Sequence, residues 1–169
     1  MARRASEYIS SMDLRAASAL ARQLLAQHGL ADWHFAFDNS KLRFGVCKWN
    51  KRTIGLSRQL VRLNDEAQVR DTLLHELAHA LAPRQAGHGP IWRAMAAAIG
   101  AKPERCYSSD TVAQPALPYQ LRCLHCNRAV PRARRLRRGR RISCGTCSPR
   151  SFNPERLLVF EVNPNYRSA

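Results

Sequence analysis

Two pairs of cysteines strongly constrain how the last third of this 169-residue chain can fold. Cys123 and Cys126 form one Cys-x-x-Cys pair, Cys144 and Cys147 form the other, and 17 residues separate the two pairs. This spacing is typical of a structural Zn²⁺ site on a small β ribbon, where the metal replaces a hydrophobic core that the module is too small to build. The sequence therefore predicts a zinc ribbon with one structural zinc ion. Redox chemistry at one pair, or a degenerate ribbon, are the alternatives.

An arginine-rich segment lies between the cysteine pairs, and no acidic residue occurs from Thr111 to Pro154 to offset it. We expect this segment at a hairpin tip, where it would attract phosphates and bind them less tightly as salt rises. A solvated, flexible surface is the alternative. Few aromatic residues interleave, so base stacking and sequence-specific recognition are not expected. The candidate nucleic-acid-binding residues are Arg132, Arg134, Arg135, Arg137, Arg138, Arg140 and Arg141.

The charge of the whole chain points the same way. It has 28 Lys and Arg against 12 Asp and Glu, a formal net charge of +16, which favours a polyanionic partner such as nucleic acid. A ribosome-associated or membrane-surface protein would look similar by this measure alone. No apolar run reaches membrane-spanning length and the first residues lack a signal peptide, so we expect a cytoplasmic, nucleoid-associated protein without a membrane partner. A reducing compartment favours metal ligands or packed thiols over disulfides for the six cysteines.

A second metal-ligand pattern, His-Glu-x-x-His, lies in the middle of the chain. His75 and His79 are four residues apart, so on a helix they share one face and can reach the same Zn²⁺. Glu76 lies beside the first histidine, where its carboxylate can take a proton from metal-bound water. His88, flanked by two glycines, is the best candidate for a third ligand. Histidines that merely face solvent or a carboxylate are the alternative.

Apolar periodicity predicts an α+β fold. The expected helices run from Asp13 to His28, from Asp65 to Leu81 with Asn64 as the cap, and from Pro90 to Gly100. Between the first two helices, the segment from Trp33 to Ser57 reads as a small antiparallel β-meander. The proline-containing stretch from Lys102 to Pro118 marks a boundary, which we place between a domain of residues 1–112 and a basic module of residues 113–169.

The segment His75-Glu76-Leu77-Ala78-His79, followed by Gly87-His88-Gly89 and Trp92, resembles the SprT-like metalloprotease family, which includes the eukaryotic Spartan proteases. The resemblance extends upstream through the predicted meander and downstream into the cysteine-rich end. It implies a minimal zincin-like domain and a protease that degrades proteins covalently trapped on DNA, in several members after activation by DNA. On this resemblance His75, His79 and His88 would hold a catalytic zinc ion, and Glu76 would be the general base.

The expected function is therefore that of a zinc-dependent metalloendopeptidase that binds DNA, including single-stranded DNA, without sequence specificity and cleaves proteins crosslinked to it. Two rival functions stay open: a nonenzymatic nucleic-acid-binding zinc protein, and a housekeeping protease acting on RNA-bound or ribosomal proteins. The chain ends soon after the ribbon, so recruitment by ubiquitin or a sliding clamp is not expected.

Three assignments stay incomplete at the level of sequence. No oxyanion stabiliser is assigned; an Arg or Tyr from the loop after Gly100 is a candidate, but no spacing singles one out. Cys47 has no partner at ligand spacing and is interpreted as a packed thiol. Cys106 also lacks such a partner and is placed at the mouth of the cleft, so neither cysteine is assigned to a metal.

Overall fold

The computed structural model describes residues 11–103 and 112–166. The chain separates into two units, Met1–Pro115 and Ala116–Ala169. The predicted functional domains, 1–112 and 113–169, stay a prediction. Among the described residues, every helix is too short or too polar to cross a bilayer.

The described residues of the first unit form four α-helices and three strands, so the predicted α+β class is confirmed for this part of the chain. The helices are α1 Leu14–Gln27, α2 Arg58–Leu63, α3 Glu66–Leu81 and α4 Pro90–Ala98. The strands are β1 His34–Asp38, β2 Gly45–Lys48 and β3 Thr53–Ser57.

The start of α3 differs from the prediction in its capping residue. Asp65, rather than Asn64, is the N-cap, because its carboxylate accepts a hydrogen bond from the backbone N–H of Gln68. Asn64 instead follows the short helix α2 and is buried. Its side-chain amide donates to the carbonyls of Leu60 and Ala113, and its side-chain oxygen accepts from the N–H of Ala113. Asn64 thus joins two segments that lie 49 residues apart in sequence.

The three strands form a mixed sheet in the order β1-β3-β2, so the predicted antiparallel meander is wrong. β3 pairs with β1 in parallel and with β2 in antiparallel orientation. β3 carries Ile54 and Leu56, both wholly buried, and therefore gains most from the central position. Six residues connect β1 to β2 across the end of β3, which lies between these two strands. The hydroxyl of Ser57, at the end of β3, donates a hydrogen bond to the carbonyl of Ser40 in this connecting segment.

The core of the first unit lies between α1, α3 and this sheet. Leu24 of α1 and both Leu73 and Leu77 of α3 are wholly buried in one cluster. Full burial of a leucine side chain contributes roughly 1.5–3 kcal/mol, so these residues hold α3 firmly against the sheet. The helix that carries the histidines is therefore a rigid support for them.

The second unit is built on a three-stranded antiparallel sheet in the order β5-β4-β6, with β4 Tyr119–Cys123, β5 Ala129–Arg132 and β6 Leu158–Val162. Its cysteines form one cluster that is compatible with the predicted zinc ribbon. The arginine segment does not lie at a hairpin tip, because both β5 and β6 pair with β4. Arg132 is the last residue of β5, and the other six arginines lie in the loop that follows it. After this loop, Ser143 forms an isolated antiparallel bridge with Leu157.

Candidate functional site

Three histidine rings converge in the first unit. His75 and His79 project from one face of α3, and His88 comes from the loop that joins α3 to α4. The Nε2 atom of His88 lies 3.1 Å from Nε2 of His75 and 3.0 Å from Nε2 of His79. Gly87 has a φ of 53° and a ψ of −127°, a conformation that disfavours any side chain, so this glycine allows the loop to bring His88 back to the helix.

The geometry and protonation of this group fit a metal ion. Zinc–nitrogen bonds of about 2.0–2.1 Å at tetrahedral angles place ligand nitrogens about 3.3 Å apart, close to the separations found here. Burial lowers the pKa of His75 to about 4, with a further contribution from the other two imidazoles. Burial and the nearby His88 likewise lower the pKa of His79 to about 4. Both rings are therefore neutral at pH 7, the form that binds metals.

Trp92 supports all three rings, a role that the sequence did not reveal. Its indole is fully buried on α4, and its ring centroid lies 4.7 Å from that of His75, 5.2 Å from that of His79 and 4.6 Å from that of His88. Trp92 also belongs to the hydrophobic core of this unit. The sequence signs of this contact were the position of Trp92 in the first turn of the helix that follows His88 and its place in the motif that carries the family resemblance.

Glu76 directly follows His75 on α3 and is 8% exposed. Burial raises the pKa of its carboxyl group to about 7, although the positive charge of Arg43 and a hydrogen bond from the backbone N–H of Cys47 act in the opposite direction. Gly45 lies directly against the same side chain, since a Cβ atom there would be 2.6 Å from Oε1 of Glu76. Strand β2 therefore positions the Glu76 carboxyl group through Gly45 and Cys47, neither of which the motif had indicated.

The four cysteines of the second unit also come together. Sγ of Cys123 lies 3.8 Å from Sγ of Cys147, and Sγ of Cys126 lies 3.7 Å from Sγ of Cys144. Zinc–sulfur bonds of about 2.3 Å in a tetrahedron give sulfur separations of about 3.8 Å, so these residues fit zinc. The backbone N–H of Cys147 lowers the pKa of Cys144 to about 6, which favours the thiolate needed for metal binding.

The arginine segment is exposed over most of its length, with Arg132 half-buried. Within residues 11–103 and 112–166, none of its seven arginines forms an ion pair with an acidic side chain. The guanidinium of Arg135 lies over the ring of Tyr119, 5.6 Å from its centroid, and the Tyr119 ring lies 5.1 Å from that of Phe160. The fold thus brings two aromatic rings to a segment that has none nearby in sequence.

The remaining candidates are less closely placed or lie outside the described residues. Cys47 is half-buried against the core, and burial, followed by the charge of Glu76, raises the pKa of its thiol to about 12, in keeping with a packed thiol. His125 is exposed, with Nδ1 3.5 Å from Sγ of Cys147. Cys106 and residues 104–111, in the loop considered for an oxyanion stabiliser, lie outside the described part.

The chain therefore has two candidate metal centres, one made of three histidines and one made of four cysteines. The profile of the SprT-like family, whose domains are of the metalloprotease type, matches residues 15–112, and the chain belongs to that family. Protein SprT of Pseudomonas paraeruginosa is 30% identical over 115 residues, which cover 61% of this chain and 69% of that protein. Protein SprT of Pseudomonas putida is 30% identical over 114 residues with the same coverage. The family resemblance is thereby confirmed.

Proposed function

We propose that this protein is a zinc-dependent endopeptidase of the zincin type that binds DNA and cleaves proteins trapped on it or crosslinked to it. The observation that carries the proposal is the convergence of three imidazoles, with a buried carboxyl group on the residue that follows the first of them. A helix that presents His75 and His79 while packing against β2 of a mixed sheet supports the zincin assignment.

The residues of the first unit have distinct roles in this reaction. His75, His79 and His88 would hold the zinc ion, which would supply a Lewis acid that polarises a peptide carbonyl and lowers the pKa of water. Glu76 takes the proton from the water that attacks the carbonyl carbon, and then delivers it to the leaving amine nitrogen as the peptide bond breaks. Burial raises the pKa of this carboxyl group above its ordinary value, which favours its uptake of the proton.

The second unit supplies the nucleic-acid contact in this proposal. Its unpaired arginines offer bidentate hydrogen bonds to phosphates. Tyr119 and Phe160, with Arg135 over the first ring, offer a surface on which unpaired bases can stack. Stacking requires unpaired bases, which favours single-stranded DNA. Neither phosphate contacts nor stacking discriminate strongly among sequences, so we expect binding without sequence specificity. Selection of substrates would then come from their proximity on the same DNA.

The test uses a protein covalently crosslinked to a single-stranded oligonucleotide, with the same protein without DNA as a second substrate. Glu76→Gln keeps the size of the side chain and removes the base, so cleavage should fall by about 10²-fold or more. Glu66→Gln, a change at an exposed glutamate on the same helix, is the matched control and should cleave like the wild type. Reducing the positive charge with Arg137→Gln and Arg138→Gln together should slow cleavage of the crosslinked substrate selectively.

Each rival function predicts a different result. If the zinc-loaded wild type and Glu76→Gln cleave neither substrate while DNA binding persists, the protein is a nonenzymatic binding protein. If RNA-bound or ribosomal proteins are cleaved and DNA has no effect, the housekeeping protease is correct. Equal cleavage of crosslinked and free substrate would contradict selection by DNA.

A further inference from the structure

A basic cavity opens on the first unit beside the strand that positions Glu76. Its volume is about 370 Å³. It is lined by Cys47, Lys48, Trp49, Asn50, Lys51 and Arg84. The residues that line it all belong to the first unit, whereas the arginine segment belongs to the second.

The three cations of the cavity have no acidic partner within 4.0 Å in the described ranges 11–103 and 112–166. The next residue along the chain, Arg52, is instead neutralised by an ion pair with Asp32. Nη1 of Arg84 donates to Oδ1 of Asn50 at 3.1 Å, which holds the guanidinium at the rim of the cavity. Lys48, Lys51 and Arg84 therefore present uncompensated positive charge to one small volume.

Trp49 adds an aromatic wall to this cavity. The indole is half-buried and packs edge-on against Trp33, with the ring centroids 5.5 Å apart and the planes at 76°. A ring anchored in this way keeps its orientation. Cations combined with an indole suit a nucleotide unit, in which a phosphate meets the cations and a base meets the ring.

The cavity is also connected to the candidate active site. Cys47 lines it, and the backbone N–H of Cys47 donates to the carboxyl group of Glu76. Arg84 begins the short 3₁₀ turn Arg84–Ala86, which leads directly into the loop that carries His88. The walls of the cavity thus belong to the two segments that position the general base and the third metal ligand.

We propose that this cavity binds a phosphate of single-stranded nucleic acid, with the adjoining base against Trp49, as a second nucleic-acid site next to the histidine group. The proposal rests on the proposed nucleic-acid binding of the whole protein. An acidic side chain of a peptide substrate is the competing occupant. A single carboxylate is matched by one guanidinium, whereas three cations and an indole correspond better to a nucleotide.

The test compares full-length variants in binding a fluorescent oligothymidine, measured by anisotropy over a range of salt concentrations. Lys48→Gln and Lys51→Gln together should weaken binding and lower the slope of log affinity against log salt by about 0.7, since the cavity holds one phosphate and each phosphate contact to a single strand contributes about 0.7. Arg62→Gln and Arg70→Gln together remove the same charge from exposed positions elsewhere on this unit and should leave the slope unchanged. Photocrosslinking to a halogenated oligonucleotide should label the peptide that contains Trp49.

The proposal would be overturned if the variant with Lys48→Gln and Lys51→Gln had the wild-type salt slope and the wild-type protein were not labelled at Trp49. Loss of cleavage of acidic peptides, with the slope unchanged, would assign the cavity to the peptide substrate instead and would equally refute it. The variant with Arg137→Gln and Arg138→Gln distinguishes a failure of the cavity proposal from a failure of the proposed function. If the salt slope falls in this variant but not in the variant with Lys48→Gln and Lys51→Gln, the protein binds nucleic acid but the cavity does not contribute.

Discussion

Replacing Glu76 by glutamine should stabilise the metal-free protein in a pH-dependent manner. Burial raises the pKa of this carboxyl group from 4.5 to about 7 in the folded state. The difference between these values, at about 1.4 kcal/mol for each pH unit, corresponds to about 3 kcal/mol of unfolding free energy. Glutamine keeps a side-chain oxygen that can accept the N–H of Cys47, but it carries no charge to bury.

The sign follows from proton binding. The folded state binds the Glu76 proton more tightly than the unfolded state, so the wild type loses stability as pH rises from 4.5, and the loss is complete above about pH 7. The lowered pKa values of His75 and His79 destabilise the protein as pH falls below 6.5, but they do so in both proteins and cancel in the comparison. The variant should therefore match the wild type near pH 4.5 and exceed it by about 3 kcal/mol at pH 8.

Urea denaturation of chelator-treated proteins across this pH range measures the difference, provided the dependence on urea has the same slope in both. Glu66→Gln, at an exposed position on α3, is the control and should show no comparable trend with pH. A difference that does not change with pH, or a wild type more stable than Glu76→Gln at pH 8, would refute the argument from burial.

Three further changes test other parts of the structure. Gly45→Ala places a methyl group 2.6 Å from Oε1 of Glu76 and should lower kcat by about 10²-fold without loss of bound zinc; unchanged kcat would show that β2 does not position the carboxyl group. Asn64→Ala removes three hydrogen bonds at a buried position and should cost about 2–3 kcal/mol in urea denaturation, whereas Gln85→Ala, at an exposed position, should cost almost nothing. Cys144→Ser removes one of four sulfur ligands and should lower the zinc content from two ions per chain to one; retention of both would argue against the four-cysteine site.

Both candidate metal-ligand groups could be predicted from sequence because their spacing is local. Residues four apart on a helix share a face whatever the rest of the fold does, and this alone pairs His75 with His79. A Cys-x-x-Cys turn likewise brings two sulfurs together within one short segment, as at Cys123 and Cys126. The helix boundaries were also close to the prediction, because caps and glycines act over a few residues.

The order of the strands could not be read from the same signals. Apolar and polar residues alternate in a similar way in each strand of the first unit, so this pattern does not order the strands. The parallel pairing of β1 with β3 depends instead on which strand gains most from burial on both of its sides. The contacts of Glu76 with Gly45 and Cys47 follow from that order, because they require β2 to lie next to α3. Tyr119 and Arg135 likewise meet only after the second unit has folded.

The family, the α+β class, the candidate metal ligands and the candidate base could all be inferred from the sequence alone. Their surroundings became known only from the folded protein: Trp92 against the three imidazoles, β2 against Glu76, and the cations of the cavity around Trp49. Ligand spacing is set by the backbone geometry of a few adjacent residues. The surroundings depend on the burial of residues distant in sequence, which is a property of the whole fold and of no single segment.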